Sequence, residues 1–103
     1  MRFLMTFRMN TELANEAARK GTLASTIQSI LADLKPEAAY FGDHEGERTA
    51  FLVVNLDDAS QLPAVAEPWF LAFNAKVRAH LVMVPEDLGK AAADIADAVK
   101  KYG

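Results

Sequence analysis

The chain opens on a strict alternation. Met1, Phe3, Met5, Phe7 and Met9 fall on one face of an extended segment and Arg2, Leu4, Thr6 and Arg8 on the other. This period of two predicts a strand with one buried and one mixed face. Asn10 or Thr11 can cap the short polar helix that follows, and Gly21-Thr22 separates it from a stronger one. There Leu23, Ile27, Ile30, Leu31 and Leu34 stack along one stripe until Pro36 ends it. Ala38 to Gly42 reads as a short second strand and Arg48 to Leu56 as a third. In the third, Ala50, Leu52, Val54 and Leu56 are apolar on one face and Phe51 and Val53 on the other, which places it centrally in a sheet.

Asp58 and Gln61 form a capping box before a helix carrying Leu62, Val65, Trp69, Phe70 and Phe73, which Pro68 interrupts. Val77 to Val84 alternates again, with Val77, Ala79, Leu81 and Met83 opposite Arg78, His80 and Val82. Pro85 then opens a last helix at its first position. Glu86 and Asp87 lie at the positive end of its dipole and Lys100 and Lys101 at the negative end. Leu88, Ala92, Ile95, Val99 and Tyr102 form its apolar seam.

The order strand, helix, strand, strand, helix, strand, helix predicts an α+β fold of the ferredoxin-like βαββαβ type with an extra C-terminal helix. Its four-stranded antiparallel sheet has strands one and three in the centre and both main helices on one face. Phe51 and Val53 then point to a face no main helix covers, so an isolated copy leaves an apolar patch. A second copy, sheet against sheet, would bury it with two-fold symmetry.

A chain of 103 residues corresponds to a single domain, 1–103, that buries roughly 60–65% of its unfolded surface. It contains no cysteine, which removes disulfides, thiolate metal sites and thiol nucleophiles and makes the cytoplasm the default location. The net charge of −3 and the scattered Lys and Arg offer no basic stripe, so nucleic acid is not an expected partner. The alternating N-terminus does not read as a secretory core, and no apolar run approaches the roughly 20 residues that span a bilayer. A membrane is not an expected partner either.

Three stretches, KPEAAYF from Lys35, AEPWFLAFNAKV from Ala66 and MVPEDLGKA from Met83, resemble an uncharacterised bacterial family of small dimeric α+β barrel proteins. The likeness covers most of the chain. The wider superfamily includes muconolactone isomerase-like proteins, small cofactor-free monooxygenases, haem-degrading enzymes and stress-responsive barrel proteins. The resemblance implies a homodimer whose sheets close into a barrel, with ligands often held between sheet and helices. It transfers no mechanism. The haem ligand of the haem-degrading members has no counterpart, because His44 and His80 are the only histidines and neither falls on a predicted helix. No cofactor is expected.

The densest cluster of ionisable residues, Asp43-His44-Glu45-Gly46-Glu47, reads as a solvated hairpin tip, with a binding loop at the mouth of a barrel as the alternative. Metal ligands must converge on one point, and neighbours in a turning segment diverge, so no metal is expected. Arg8 on the first strand and Arg78 and His80 on the fourth share a face with Thr6 if the two strands are neighbours. Two planar guanidinium forks and an imidazole can hold a carboxylate or phosphate. The plainer reading is that they pair with acids of a partner subunit, or guard a sheet edge. Trp69 and Phe73 beside Pro68, with Phe7 beneath, can line an apolar pocket for a flat ligand, with Tyr40 supplying a hydroxyl. They can equally be core. Glu67, beside the proline, is the one carboxylate positioned to be a general base in an apolar setting, an ordinary exposed helix residue being the plainer reading. No Gly-rich phosphate loop, nucleophile elbow or H-E-x-x-H motif occurs.

The leading expectation is a homodimeric barrel protein that binds a small aromatic or anionic metabolite through Phe7, Arg8, Tyr40, Trp69, Phe73, Arg78 and His80. The alternatives are a cofactor-independent isomerase or monooxygenase-like enzyme using His80 or Glu67 to move a proton, and an interaction module without a ligand.

Overall fold

A computed structural model describes all residues, Met1–Gly103, as an α+β arrangement of one four-stranded antiparallel sheet and five helices. The strands are β1 (Arg2–Arg8), β2 (Ala38–His44), β3 (Glu47–Asn55) and β4 (Lys76–Val82). The helices are α1 (Thr11–Lys20), α2 (Leu23–Leu34), α3 (Leu62–Phe73), α4 (Pro85–Lys90) and α5 (Ala92–Tyr102). A single 3-10 turn, Ala59–Gln61, leads into α3.

The strand order is β2-β3-β1-β4, which makes β1 and β3 inner strands. Register follows the hydrophobic pattern: Phe7 faces Ala50 and Met5 faces Leu52 across β1 and β3. These side chains point at the helices and are buried with Val54, Leu56, Ile30, Val65, Trp69 and Phe73 in one core. Local signals place the helices. The Asn10 side chain accepts from the Leu13 amide at 3.0 Å, Gly21 takes a left-handed conformation (φ 76°) between α1 and α2, and the Asp58–Gln61 capping box is formed.

Three expectations need correction. The hairpin strands run further than the polar residues suggested, β2 reaching His44 and β3 beginning at Glu47. Only Glu45 (φ 50°) and Gly46 (φ 83°) form the turn, because two successive positive φ values close a two-residue hairpin of the primed type. The predicted interruption at Pro68 does not occur; α3 runs unbroken through it. Val65, Ala66, Trp69 and Phe73 on either side of the proline are all buried, and that packing holds the helix across the missing hydrogen bond. The single C-terminal helix is two, broken at Ala91, and every residue of α5 is exposed. Consequently the longest dimension is 59 Å against 27 and 21 Å for the others.

Candidate functional site

The face of the sheet opposite the helices carries the even-numbered residues of β1 and β4. The ladder sets Arg8 across from Lys76, Thr6 across from Arg78 and Leu4 across from His80. Thr49 of β3 faces Arg8 from the other side. Thr6, Arg8, His44, Thr49, Lys76, Arg78 and His80 line a cavity of about 150 Å³, and none of these side chains is hydrophobic. Thr49 is buried at its floor, its hydroxyl donating to the Glu47 carbonyl at 3.0 Å.

One wall is rigid. Arg8 donates from Nε to Glu47 Oε1 at 2.7 Å and from Nη1 to Glu45 Oε2 at 3.2 Å. Glu47 in turn accepts from both the amide (3.1 Å) and the hydroxyl (2.8 Å) of Thr11 through Oε2. The Thr11 hydroxyl, followed by Arg8, holds the Glu47 carboxyl below the usual carboxylate range. Glu47 thus ties the first residue of α1 to the guanidinium that faces the cavity. The opposite wall is uncompensated: Lys76 and Arg78 take part in no ion pair. Glu45 and Glu47 already neutralise Arg8, so Lys76 and Arg78 carry the positive charge that an anion would meet.

Of the residues expected to bind a ligand, Arg8, Arg78 and His80 come together here. Tyr40 also lies toward this face, 69% exposed and opposite Phe51, but on the outer strand β2 and outside the cavity lining. Phe7, Trp69 and Phe73 lie on the other side of the sheet. Trp69 stacks on Phe7 at 4.8 Å and tilts against Phe73 at 6.3 Å, and all three are buried in the core. Glu67 is exposed on α3, away from the cavity.

The sequence reading did not assign Lys76 or His44 to the cavity. Lys76 follows from register alone, since it continues the alternation of Arg78 and His80 by one step. His44 depends on the hairpin: the two-residue turn keeps β2 pleated as far as His44, which then faces Glu47 and reaches the cavity. A second, mostly apolar cleft of about 260 Å³ lies between α2 and the hairpin, lined by Met9, Leu23, Ile27, Phe41 and Arg48 among others. No group of three His, Asp or Glu side chains is placed to hold a metal ion.

Residues 1–96 match a family described as a domain of unknown function, DUF3303. The chain belongs to this family. The matched span contains every residue of the cavity and runs through α4 into α5. No curated protein matches the chain, and no helix is long and apolar enough to cross a membrane.

Proposed function

We propose that this DUF3303 chain is a homodimeric small-molecule-binding protein whose ligand is a small anion, a phosphate or short carboxylate, held by Arg8, Lys76, Arg78 and His80. The observation that carries this reading is the uncompensated positive charge of Lys76 and Arg78 next to Arg8, around a cavity with no hydrophobic lining. Its volume of about 150 Å³ suits a ligand of a few heavy atoms. Burial of Phe7, Trp69 and Phe73 in the core favours the anionic over the aromatic ligand. A ferredoxin-like, dimeric α+β barrel architecture is supported by the succession β1-α-β2-β3-α-β4 with β1 and β3 inside. The half-buried Phe51 and Val53 and the exposed Tyr40 and Leu4, on the face without helices, support a two-fold contact there.

Isothermal titration with inorganic phosphate and with malonate at low salt tests the reading. The expected result is saturable binding of one anion per chain, weakened at least tenfold in Arg78→Ala, the loss of one charged hydrogen bond being about 1.5–3 kcal/mol. Light scattering is expected to report two chains per particle. No saturable heat with either anion at millimolar concentration would sink the ligand assignment, and a monomer at micromolar concentration would sink the dimer.

A further inference from the structure

The arm formed by α4 and α5 leaves the body and has nothing to rest on. Leu88, Ile95, Val99 and Tyr102 are 52%, 51%, 61% and 80% exposed. The radius of gyration is 17.3 Å, against ~13 Å for a compact chain of this length. The accessible surface is 7065 Å², while a compact monomer of 11.3 kDa exposes only ~5,700 Å². That excess, of order 1,000 Å², is of the size that each partner of a stable complex buries, about 800 Å². An isolated helix of 11 residues is below the ~12–15 residues at which helices hold in water unaided.

The arm cannot easily find that surface on its own sheet. Only Met83 and Val84 separate β4 from Pro85. Val84 is β-branched, sits in extended conformation (φ −85°, ψ 164°) and precedes a proline, and each of these restricts rotation at the exit.

The seam itself describes the occupant. Along α5, Ala92, Ile95, Val99 and Tyr102 recur at steps of three, four and three, the spacing by which one helix packs its knobs into another. The flanking positions within α5 are Ala96 and Ala98, both small, so a second helix can approach closely. The charged residues Lys90, Asp94, Asp97, Lys100 and Lys101 lie away from the seam. Acids precede lysines along α5, which makes the helix complementary to itself only when reversed.

We propose that α5 pairs antiparallel with the α5 of a second copy of this chain. Centred near Asp97, the pair sets Ile95 against the partner's Val99 and the small Ala92 against the large Tyr102 of the partner subunit. Asp94 of each helix lies toward the Lys100-Lys101 end of the other on the outer face, the two Asp97 positions meet at the centre, and the helix dipoles oppose. A parallel pair would instead stack Tyr102 on Tyr102 and place like charges together. The inference rests on the homodimer of the proposed function and adds to it a contact on the arm.

The chain lacks cysteine, so the register can be tested by disulfide trapping in the full chain. Ile95→Cys protein mixed with Val99→Cys protein is expected to give the mixed disulfide well above the statistical share, because only that pairing brings the two Cα atoms within about 7 Å. A statistical mixture, or no disulfide, overturns the pairing. In parallel, sedimentation equilibrium from 1 to 100 µM compares the double variant Ile95→Asp/Val99→Asp with Phe51→Asp on the sheet face; near-ultraviolet circular dichroism confirms that each remains folded. The arm variant is expected to associate at least 100-fold more weakly than the unmodified chain. If only Phe51→Asp dissociates, the arm pairing fails and the sheet contact stands; if the unmodified chain is monomeric throughout, both fail.

Discussion

The indole of Trp69 stacks on the ring of Phe7 at a centroid distance of 4.8 Å and 23° between planes, while its Nε1–H finds no hydrogen-bond partner. The indole contributes area and shape to the junction of α3 with β1, and its donor is left as a local cost. Trp69→Ala is therefore expected to destabilise the fold by about 3–5 kcal/mol. Trp69→Phe is expected to cost under ~1.5 kcal/mol, since it removes the orphaned donor along with the lost area. Urea unfolding followed by far-ultraviolet circular dichroism decides. Equal costs for the two variants would mean that a buried water satisfies the indole.

The Arg8–Lys76 pair makes an unusual prediction for a charged surface residue. Replacing Lys76 with Thr removes what remains of the cross-strand repulsion once Glu45 and Glu47 have screened Arg8, and is expected to raise the stability of the anion-free chain by at most about 0.2 kcal/mol. In saturating phosphate the order reverses, because the variant binds the anion less tightly. Melting temperatures with and without phosphate measure both arms, and a variant less stable in the absence of any anion would contradict the account.

Glu47 gives the acid side of the stability curve a local cause. Its folded pKa is lowered, chiefly by the Thr11 hydroxyl and then by Arg8, so its contribution is complete above the ordinary carboxylate range. That contribution is lost as the pH falls through the lowered folded value. Glu47→Gln is expected to melt earlier than the unmodified chain at pH 7, with the difference shrinking steadily below pH ~4. A gap that stays constant down to pH 2 would assign the effect to packing instead of charge.

Pro68 sits inside α3 without ending it. Pro68→Ala restores the amide donor that an interior helix position normally supplies and is expected to stabilise the chain by about 1–3 kcal/mol. Chemical denaturation reads this directly. Destabilisation would show that the ring packs against its neighbours more usefully than the hydrogen bond it replaces.

The sheet was legible from residues 1–9 and 50–56 because burial on one face imposes a period of two that few other constraints disturb. Trp69 and Phe73 could be placed on a helix but not on either side of the pocket-or-core question, since a stripe of aromatics looks the same in both settings. Their burial and the stacking of Trp69 on Phe7 show that they meet the buried face. His44 reads from the sequence as part of a solvated hairpin tip, because the ionisable residues around it cluster at the Gly46 turn. Polarity marks exposure but does not mark where pleating stops, and the Glu45-Gly46 turn lets the strand continue two residues beyond Gly42. The apolar seam of α5 was visible as a pattern, but its exposure depends on the direction of the chain at Val84.

The chain has one tryptophan, and it lies under the helices while the polar cavity lies across the sheet from it. Intrinsic emission should therefore be blue-shifted and an excellent optical reporter of global unfolding. It should also be nearly blind to an anion arriving among Arg8, Lys76 and Arg78, so a flat fluorescence titration would carry no information about whether the cavity is occupied.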